Sequence, residues 1–231
     1  MTITIPTRPP LSPAVRPAFA RRRVPLGLKL AYTAFLAVMI PVYWTNYGPT
    51  NFLYFCDVAL LLTLVGVWSE SALLISLPAV GILLPQALWC GDFFAHLLGW
   101  KMTGLTDYMF DHHRSLFLRG LSLFHGWLPF LLFYLVRRVG YDRRALAGWT
   151  SLATTLCLTA FFLLPPAGAL LADPKIPRNI NYVFGLDDAA PQHLLPPLAY
   201  LVAWIAALTG LVFVPTHFVL RQTCPPALHR A

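Results

Sequence analysis

Six continuous apolar runs divide this chain, and each is close to the length that a helix needs to cross a bilayer. A transmembrane β-barrel would show short alternating segments instead. Only 11% of the residues are charged, against about 25% in an ordinary soluble domain. The sequence therefore predicts an all-α fold, a polytopic membrane helical bundle with about six transmembrane helices. The runs cover residues 30–44, 52–68, 73–89, 116–136, 146–164 and 195–220.

The two ends of the chain differ from its middle. Residues 1–28 are rich in Pro and Arg and lack apolar clusters, which predicts a disordered basic tail. The triple arginine at 21–23 precedes the first apolar run as in an export signal, but further spans follow, so we interpret this run as a retained signal-anchor. The predicted organisation is a tail over 1–28, a transmembrane domain over 29–221 and a second tail over 222–231.

Basic residues gather on one side of the predicted bundle. With six spans, both termini and the loop between the fourth and fifth runs share one side, which carries twelve of the seventeen Lys and Arg residues. The positive-inside rule then predicts cytoplasmic termini for an integral protein of the bacterial inner membrane. The net charge of +8 lies beside the spans without an interleaved aromatic face, so it does not indicate nucleic-acid binding.

Side chains capable of chemistry gather on the opposite, outer side. The second run carries Cys56 and Asp57 in its first turns. A carboxylate at the centre of a membrane helix costs roughly 2.5–3.5 kcal/mol on insertion scales, so it usually faces the protein interior and has a partner. His125 lies two to three turns into the fourth run, and Asn181 lies in the second long connector. This asymmetry predicts an outward-facing site within the bilayer.

Cys56 and His125 are the predicted catalytic pair of that site. A thiol with an ordinary pKa near 8.5 is mostly protonated at neutral pH, so a nucleophilic cysteine needs a base within hydrogen-bond reach. Asp57 or Asn181 would orient the imidazole. Two structural roles for Cys56 also stay open, a small buried apolar side chain or a disulfide with Cys90.

The other candidates fit structural roles as well. His125 suits an interhelical hydrogen bond. Asp57 suits a pairing with Arg119 or with Tyr54. The acidic and histidine cluster at 111–113 suits a solvated helix cap.

Three functions compete at this point. The first is a lipid acyl hydrolase or acyltransferase with membrane lipid as both substrate and solvent. The second is a metal- or proton-linked transporter built around Asp57, His96, His113 and His125, and the third is a non-catalytic membrane scaffold. The histidines follow no metal-binding spacing such as HExxH, so no metal and no cofactor are predicted.

Three short motifs carry a resemblance to a known family. Residues 53–59 read Leu-Tyr-Phe-Cys-Asp-Val-Ala, 124–126 read Phe-His-Gly, and 181–184 read Asn-Tyr-Val-Phe before the Leu-Pro-Pro at 195–197. They resemble the YwaF-type bacterial integral membrane proteins and the related eukaryotic transmembrane protein 164. In that family the second helix carries Leu-His-Leu-Cys-Asp/Asn-Val-Ala, the fourth carries Leu-His-Gly, and Asn-Tyr-Met-Phe precedes the last. The resemblance covers about 46–220.

This resemblance implies a six-helix membrane fold and, by analogy with relatives of assigned activity, a nucleophile and a histidine that act on lipid acyl groups. Cys56 and His125 match those positions. The family's histidine two residues before the cysteine is Tyr54 here. The androgen-induced hydrolases of fatty acid esters of hydroxy fatty acids are similar in plan, with a threonine nucleophile at a position near Tyr54.

Overall fold

The computed structural model describes residues 23–173 and 175–227. The first 22 residues of the predicted tail, Pro174 and the last four residues lie outside this part of the chain. The α-helices are α1 (Leu26–Tyr47), α2 (Phe55–Ser69), α3 (Ala72–Leu97), α4 (Asp107–Phe110), α5 (Leu116–Ser122), α6 (Phe124–Val139), α7 (Ala145–Leu163), α8 (Pro197–Ala207) and α9 (Val214–Thr223). Two 3₁₀ turns, Pro49–Leu53 and Ile180–Tyr182, and a π-helical segment, Leu208–Phe213, complete the regular structure.

Within residues 23–173 and 175–227, five helical segments are long and apolar enough to cross a membrane. The chain is therefore an all-α, multi-pass integral membrane protein, which confirms the predicted class. The second apolar run differs from the prediction, because its helix α2 has only 15 residues. The five segments are Leu26–Tyr47, Ala72–Leu97, Leu116–Val139, Ala145–Leu163 and Pro197–Thr223.

Helix α3 lies at the centre of the bundle, where it packs against α2, α6, α7 and α9. Half of its most apolar stretch is buried, against 11% for the last span. Gly81 of α3 allows the closest approach, because its missing side chain makes room for the indole of Trp149 on α7. Trp149 is fully buried there and contacts Phe55 and Phe213 edge-on.

The two ends of the bundle are formed by different loops and helix ends. At one, which we call the arginine end, Lys29 of α1 pairs with Glu70 after α2 at 2.8 Å. The loop from α6 to α7 joins the same end, because the amide of Asp142 donates to Ser76 Oγ of α3 at 3.0 Å. The other, which we call the connector end, carries residues 48–54, 98–115 and 164–196.

Two of the spans are not continuous α-helices, and a proline lies close after each departure. Pro215 has no amide hydrogen for the carbonyl four residues earlier, and the π-helical segment Leu208–Phe213 lies just before it. The fourth span is interrupted at Leu123, and Pro129 lies about two helical turns later. Since Pro129 cannot donate to the carbonyl of His125, that oxygen is open to another donor.

Candidate functional site

Cys56 and Asp57 occupy the first turn of α2 at the connector end. Asp57 is 3% exposed, and its Oδ2 accepts from the thiol of Cys56 at 3.8 Å and from Nδ2 of Asn51 at 3.3 Å. Its Oδ1 has no hydrogen-bond partner among the described residues. The amino end of a helix favours a negative charge, which offsets part of the cost of burying this acid. One oxygen of a buried acid thus remains available for a further donor.

Asn181 holds the start of α2 from a distant part of the sequence. Its Oδ1 accepts from the amide of Phe55 at 3.0 Å, and its Nδ2 donates to the carbonyl of Leu53 at 2.9 Å. The first amides of a helix lack partners within the helix, so Asn181 acts as a cap supplied in trans. Trp204 of α8 in turn donates to the carbonyl of Asn181 at 2.9 Å. The amide group is therefore engaged with backbone beside Cys56, and no hydrogen bond of the described residues joins it to an imidazole.

The turn that carries Asn181 has an unusual backbone. Asn179, Asn181 and Tyr182 all have positive φ, at 48°, 60° and 59°. Asparagine adopts this region more readily than most residues. Asn179 is fully buried, and its side chain accepts from the amide of Phe184 and donates to the carbonyl of Gly185, both at 2.9 Å. These bonds fix the turn in the conformation that brings Asn181 to α2.

His125 lies in the first turn of α6, just after the interruption of the fourth span. Its Nδ1 lies 2.8 Å from the carbonyl of Ser122, and a carbonyl only accepts. Nδ1 therefore carries the hydrogen, and in the neutral ring Nε2 is an acceptor. The ring stacks on Trp89 and Phe124, with centroids 5.2 and 4.0 Å away. Ser122 Oγ also lies 2.7 Å from the hydroxyl of Tyr43.

No hydrogen bond or ring contact of the described residues joins Cys56 to His125. The thiol closer to the histidine is Cys90, whose Sγ donates to the carbonyl of His125 at 3.9 Å, the oxygen that Pro129 leaves open. Cys56 and Cys90 are both free, so the disulfide that the sequence left open is not formed.

The expected partners of Asp57 also bind elsewhere. Arg119 donates to the carbonyl of Met109 at 3.1 Å, and Tyr54 donates to the carbonyl of Arg178 at 3.4 Å. Among the described residues, neither of the two forms a hydrogen bond or an ion pair with the carboxylate. Asn51 takes the place that the sequence analysis assigned to them.

Two tyrosines link the parts of the site. Tyr43 of α1, bonded to Ser122, also interacts electrostatically with Asp57 and Cys56. Tyr108 of α4 accepts from Trp89 Nε1 at 3.1 Å, and burial raises its pKa, with a smaller contribution from nearby Tyr43. The Tyr108 hydroxyl therefore stays protonated. We call the whole set the polar cluster: Tyr43, Asn51, Cys56, Asp57, Trp89, Tyr108, Ser122 and His125.

Sequence reasoning missed Tyr43, although a signal for it exists. Its place near the end of the first apolar run predicts only an aromatic residue at the membrane interface. It also continues a buried stripe of α1 in which Tyr32, Leu36 and Met39 follow at steps of four, three and four residues. This spacing marks one face of a helix, and a tyrosine on a buried face needs a partner for its hydroxyl.

The described residues contain no group of three His, Cys, Asp or Glu side chains that would hold a metal ion. Of the residues proposed for a transporter, His96 pairs with Asp107 at 3.4 Å, and the amide of His113 donates to Asp111 at 2.9 Å. His125 lies in the polar cluster instead. The structure therefore does not assemble these candidates into one ligand set. The cap of α5 is Ser115, not the 111–113 cluster.

Comparison of the chain with protein-family models, with curated proteins and with solved structures found no match in any of the three. The resemblance carried by the three short motifs stays a prediction.

Proposed function

We propose that this multi-pass membrane protein hydrolyses or transfers acyl groups of membrane lipids, with Cys56 as the nucleophile. The observation that carries the proposal is the bond from the Cys56 thiol to the buried carboxylate of Asp57 at 3.8 Å. A nucleophilic thiol needs a proton acceptor beside it, and Asp57 is the acceptor in contact. The start of α2 adds a second contribution, since a helix amino end stabilises a thiolate.

The proposed reaction has two steps. Asp57 takes the thiol proton, and the sulfur attacks the carbonyl carbon of a lipid ester. The bond to the alcohol oxygen breaks, the alcohol leaves with the proton held by Asp57, and the acyl group remains on Cys56 as a thioester. Water, or the hydroxyl of an acceptor lipid, then attacks the thioester and restores the thiol.

His125 and Asn181 have separate roles in this proposal. Nε2 of His125 is the ring nitrogen that can accept, so it takes the proton of the water or hydroxyl in the second step and returns it to the departing sulfur. Asn181 holds the turn on which Cys56 is carried. This division differs from a direct Cys56–His125 pair, in which the imidazole would deprotonate the thiol itself.

We also propose the family membership and the membrane orientation that the sequence favours. Support for a YwaF-type or transmembrane protein 164-like identity comes from the positions of its motifs, since 53–59 and 181–184 lie at the connector end and 124–126 lies in the half of the fourth span nearer to it. Support for a bacterial inner-membrane protein with cytoplasmic termini comes from the charges, because Arg137, Arg138, Arg143 and Arg144 lie at or beside the opposite end.

One observation favours a second candidate, a proton-linked transporter. Asp57 Oδ1 is buried and has no hydrogen-bond partner among the described residues, and an ionisable group inside a membrane protein is a common carrier of protons. In a transporter of this kind the carboxylate is essential, whereas the neighbouring thiol is not.

The decisive experiment measures lipid turnover by the full chain in vesicles of phosphatidylcholine, phosphatidylglycerol and diacylglycerol. Mass spectrometry would follow the released fatty acid and the transferred acyl chains, and hydroxylamine would trap a thioester as its hydroxamate. We expect Cys56→Ala to lose at least about 100-fold in rate. The matched control is Cys90→Ala, since Cys90 is also half-buried at the same end and lies beside His125.

The outcomes separate the candidates. Turnover that is lost in Cys56→Ala and kept in Cys90→Ala supports the acyl-transfer proposal. Full turnover in Cys56→Ala contradicts it. Proton flux that survives Cys56→Ala and stops in Asp57→Asn would instead establish the transporter.

A further inference from the structure

The loop after α3 displays apolar side chains although it is not part of a spanning helix. Leu98 is 75% exposed and Trp100 is 72% exposed, and Met102 is also exposed. We call residues 98–106 the apolar loop. Exposed apolar patches of this kind mark surfaces that bind another apolar phase.

This loop is tied tightly to the end of α3. Asp92, which is 2% exposed, accepts from the amide of Thr103 at 2.6 Å through Oδ1. Its Oδ2 accepts from the amide and the hydroxyl of Thr106 at 2.9 and 2.7 Å. A buried carboxylate with three donors holds a turn firmly. The display of Leu98, Trp100 and Met102 is therefore a fixed feature of the fold.

Most backbone amides of the loop are paired within the protein. Of the ten amides from 98 to 107, seven donate within the protein, namely those of Leu98, Gly99, Trp100, Thr103, Leu105, Thr106 and Asp107. Exposed non-helical backbone does not occur within the hydrocarbon core, so the backbone of this loop belongs at the interfacial level of the bilayer, from which its apolar side chains reach the acyl chains.

The apolar surface of the loop is continuous with that of the membrane spans. Phe94 in the last turns of α3 is 62% exposed, and Leu116 and Phe117 at the start of the next span are exposed as well. Lys101 of the loop pairs with Asp107, the first residue of α4, at 3.1 Å. The charge of the lysine is therefore held beside a carboxylate and not among the exposed apolar side chains. A lysine beside an exposed tryptophan is typical of the boundary between headgroups and acyl chains.

From these observations we infer that the apolar loop is a fixed membrane-inserted wedge, whose partner is the acyl-chain and ester layer of the leaflet at the connector end. The loop carries α4 directly after it, and Tyr108 of α4 belongs to the polar cluster. The wedge thus sets the cluster against lipid. This inference does not depend on catalysis by Cys56, and its test contains no activity measurement.

The test places a nitroxide at Leu98→Cys or Met102→Cys in the full chain, with the four native cysteines replaced by alanine, in phosphatidylcholine vesicles. Collision with oxygen reports lipid, and collision with a water-soluble nickel chelate reports water. Phe162→Cys, which is 63% exposed on α7, is the lipid control. His112→Cys, exposed at the same end of the bundle, is the water control.

We expect the probes at 98 and 102 to match the probe at 162, with oxygen collisions several-fold above nickel collisions. A match with the probe at 112 would place the loop in water and overturn the inference. A second measurement keeps the native cysteines: brominated phosphatidylcholine should quench less fluorescence in Trp100→Phe than in the unaltered protein. Equal quenching in the two proteins would also overturn the inference.

Discussion

Replacement of Gly81 by alanine is the most direct test of how the centre of the bundle packs. A Cβ at this position would lie 1.8 Å from Cε2 of Trp149 and 2.1 Å from its Nε1. Carbon atoms in contact prefer a separation of about 3.5 Å or more, so the ring or one helix has to move by roughly 1.7 Å. The ring has little room to move, because it is fully buried between Phe55 and Phe213.

The magnitude follows from two opposing effects. Overpacking a core costs about 1–3 kcal/mol, and a clash with a rigid ring belongs at the upper end of that range. Alanine regains up to about 1 kcal/mol of helix stability relative to glycine. The net loss is therefore ~2 kcal/mol, which lowers the midpoint of thermal unfolding by about 4–8 °C in a chain of this size.

The native cysteines provide the assay. Cys157 and Cys224 are buried, so a maleimide dye reacts with them only as the protein unfolds on heating. Gly120→Ala is the control, because a Cβ there meets no atom within 4 Å, and its midpoint should not fall. Gly81→Ala should cost less in a Trp149→Phe background, where the clashing part of the ring is absent. A midpoint for Gly81→Ala equal to that of the unaltered protein would refute the close approach of α3 and α7.

Three further predictions concern the two ends of the bundle. Asn181→Ala removes the cap of α2 and places alanine at a φ of 60°. We therefore expect thermal unfolding to show a loss of about 2–3 kcal/mol in the free energy of unfolding. The loss should be smaller for Asn181→Gly, because glycine tolerates that φ. The hydrogen bond from Lys29 lowers the pKa of Glu70 below its ordinary value. The stabilisation is therefore present above that ordinary pKa and disappears as the pH falls through the lowered one, and Glu70→Gln should abolish this part of the acid dependence. In a cysteine-free background, an impermeant maleimide should label His112→Cys on intact cells and Arg143→Cys only after permeabilisation, and the reverse pattern would invert the proposed orientation.

The sequence predicts the fold class well because a bilayer imposes length and polarity on every span. It does not predict where α2 begins. The apolar run starts at Phe52, whereas the helix starts at Phe55, since a 3₁₀ turn comes first. The group that fixes this start is Asn181, 126 residues away from Phe55 along the chain, and hydropathy contains no information about such a contact.

The site is also predictable only in part, because some of its contacts join residues that are far apart along the chain. Cys56 and Asp57 are neighbours in sequence, so their pairing follows from the chain itself. The position of His125 along the bundle follows from counting residues, but the direction of its ring depends on the rotation of α6 about its axis. Helix α6 begins just after the interruption at Leu123, and the ring of His125 in its first turn stacks on Trp89.

The shortness of α2 has a consequence for the lipid that such a site would meet. Fifteen residues of helix rise about 22 Å, whereas the hydrocarbon layer is ~30 Å thick. The pairing of Lys29 with Glu70 fixes the far end of α2 at the level where α1 begins. The first turn of α2 then stops about 8 Å short of the opposite hydrocarbon boundary, and the 3₁₀ turns Pro49–Leu53 and Ile180–Tyr182 fill the remaining height. A thiol at that level faces the first carbons of an acyl chain, so a lipid has to move about 8 Å toward the bilayer centre, into the protein, to bring its ester to the sulfur.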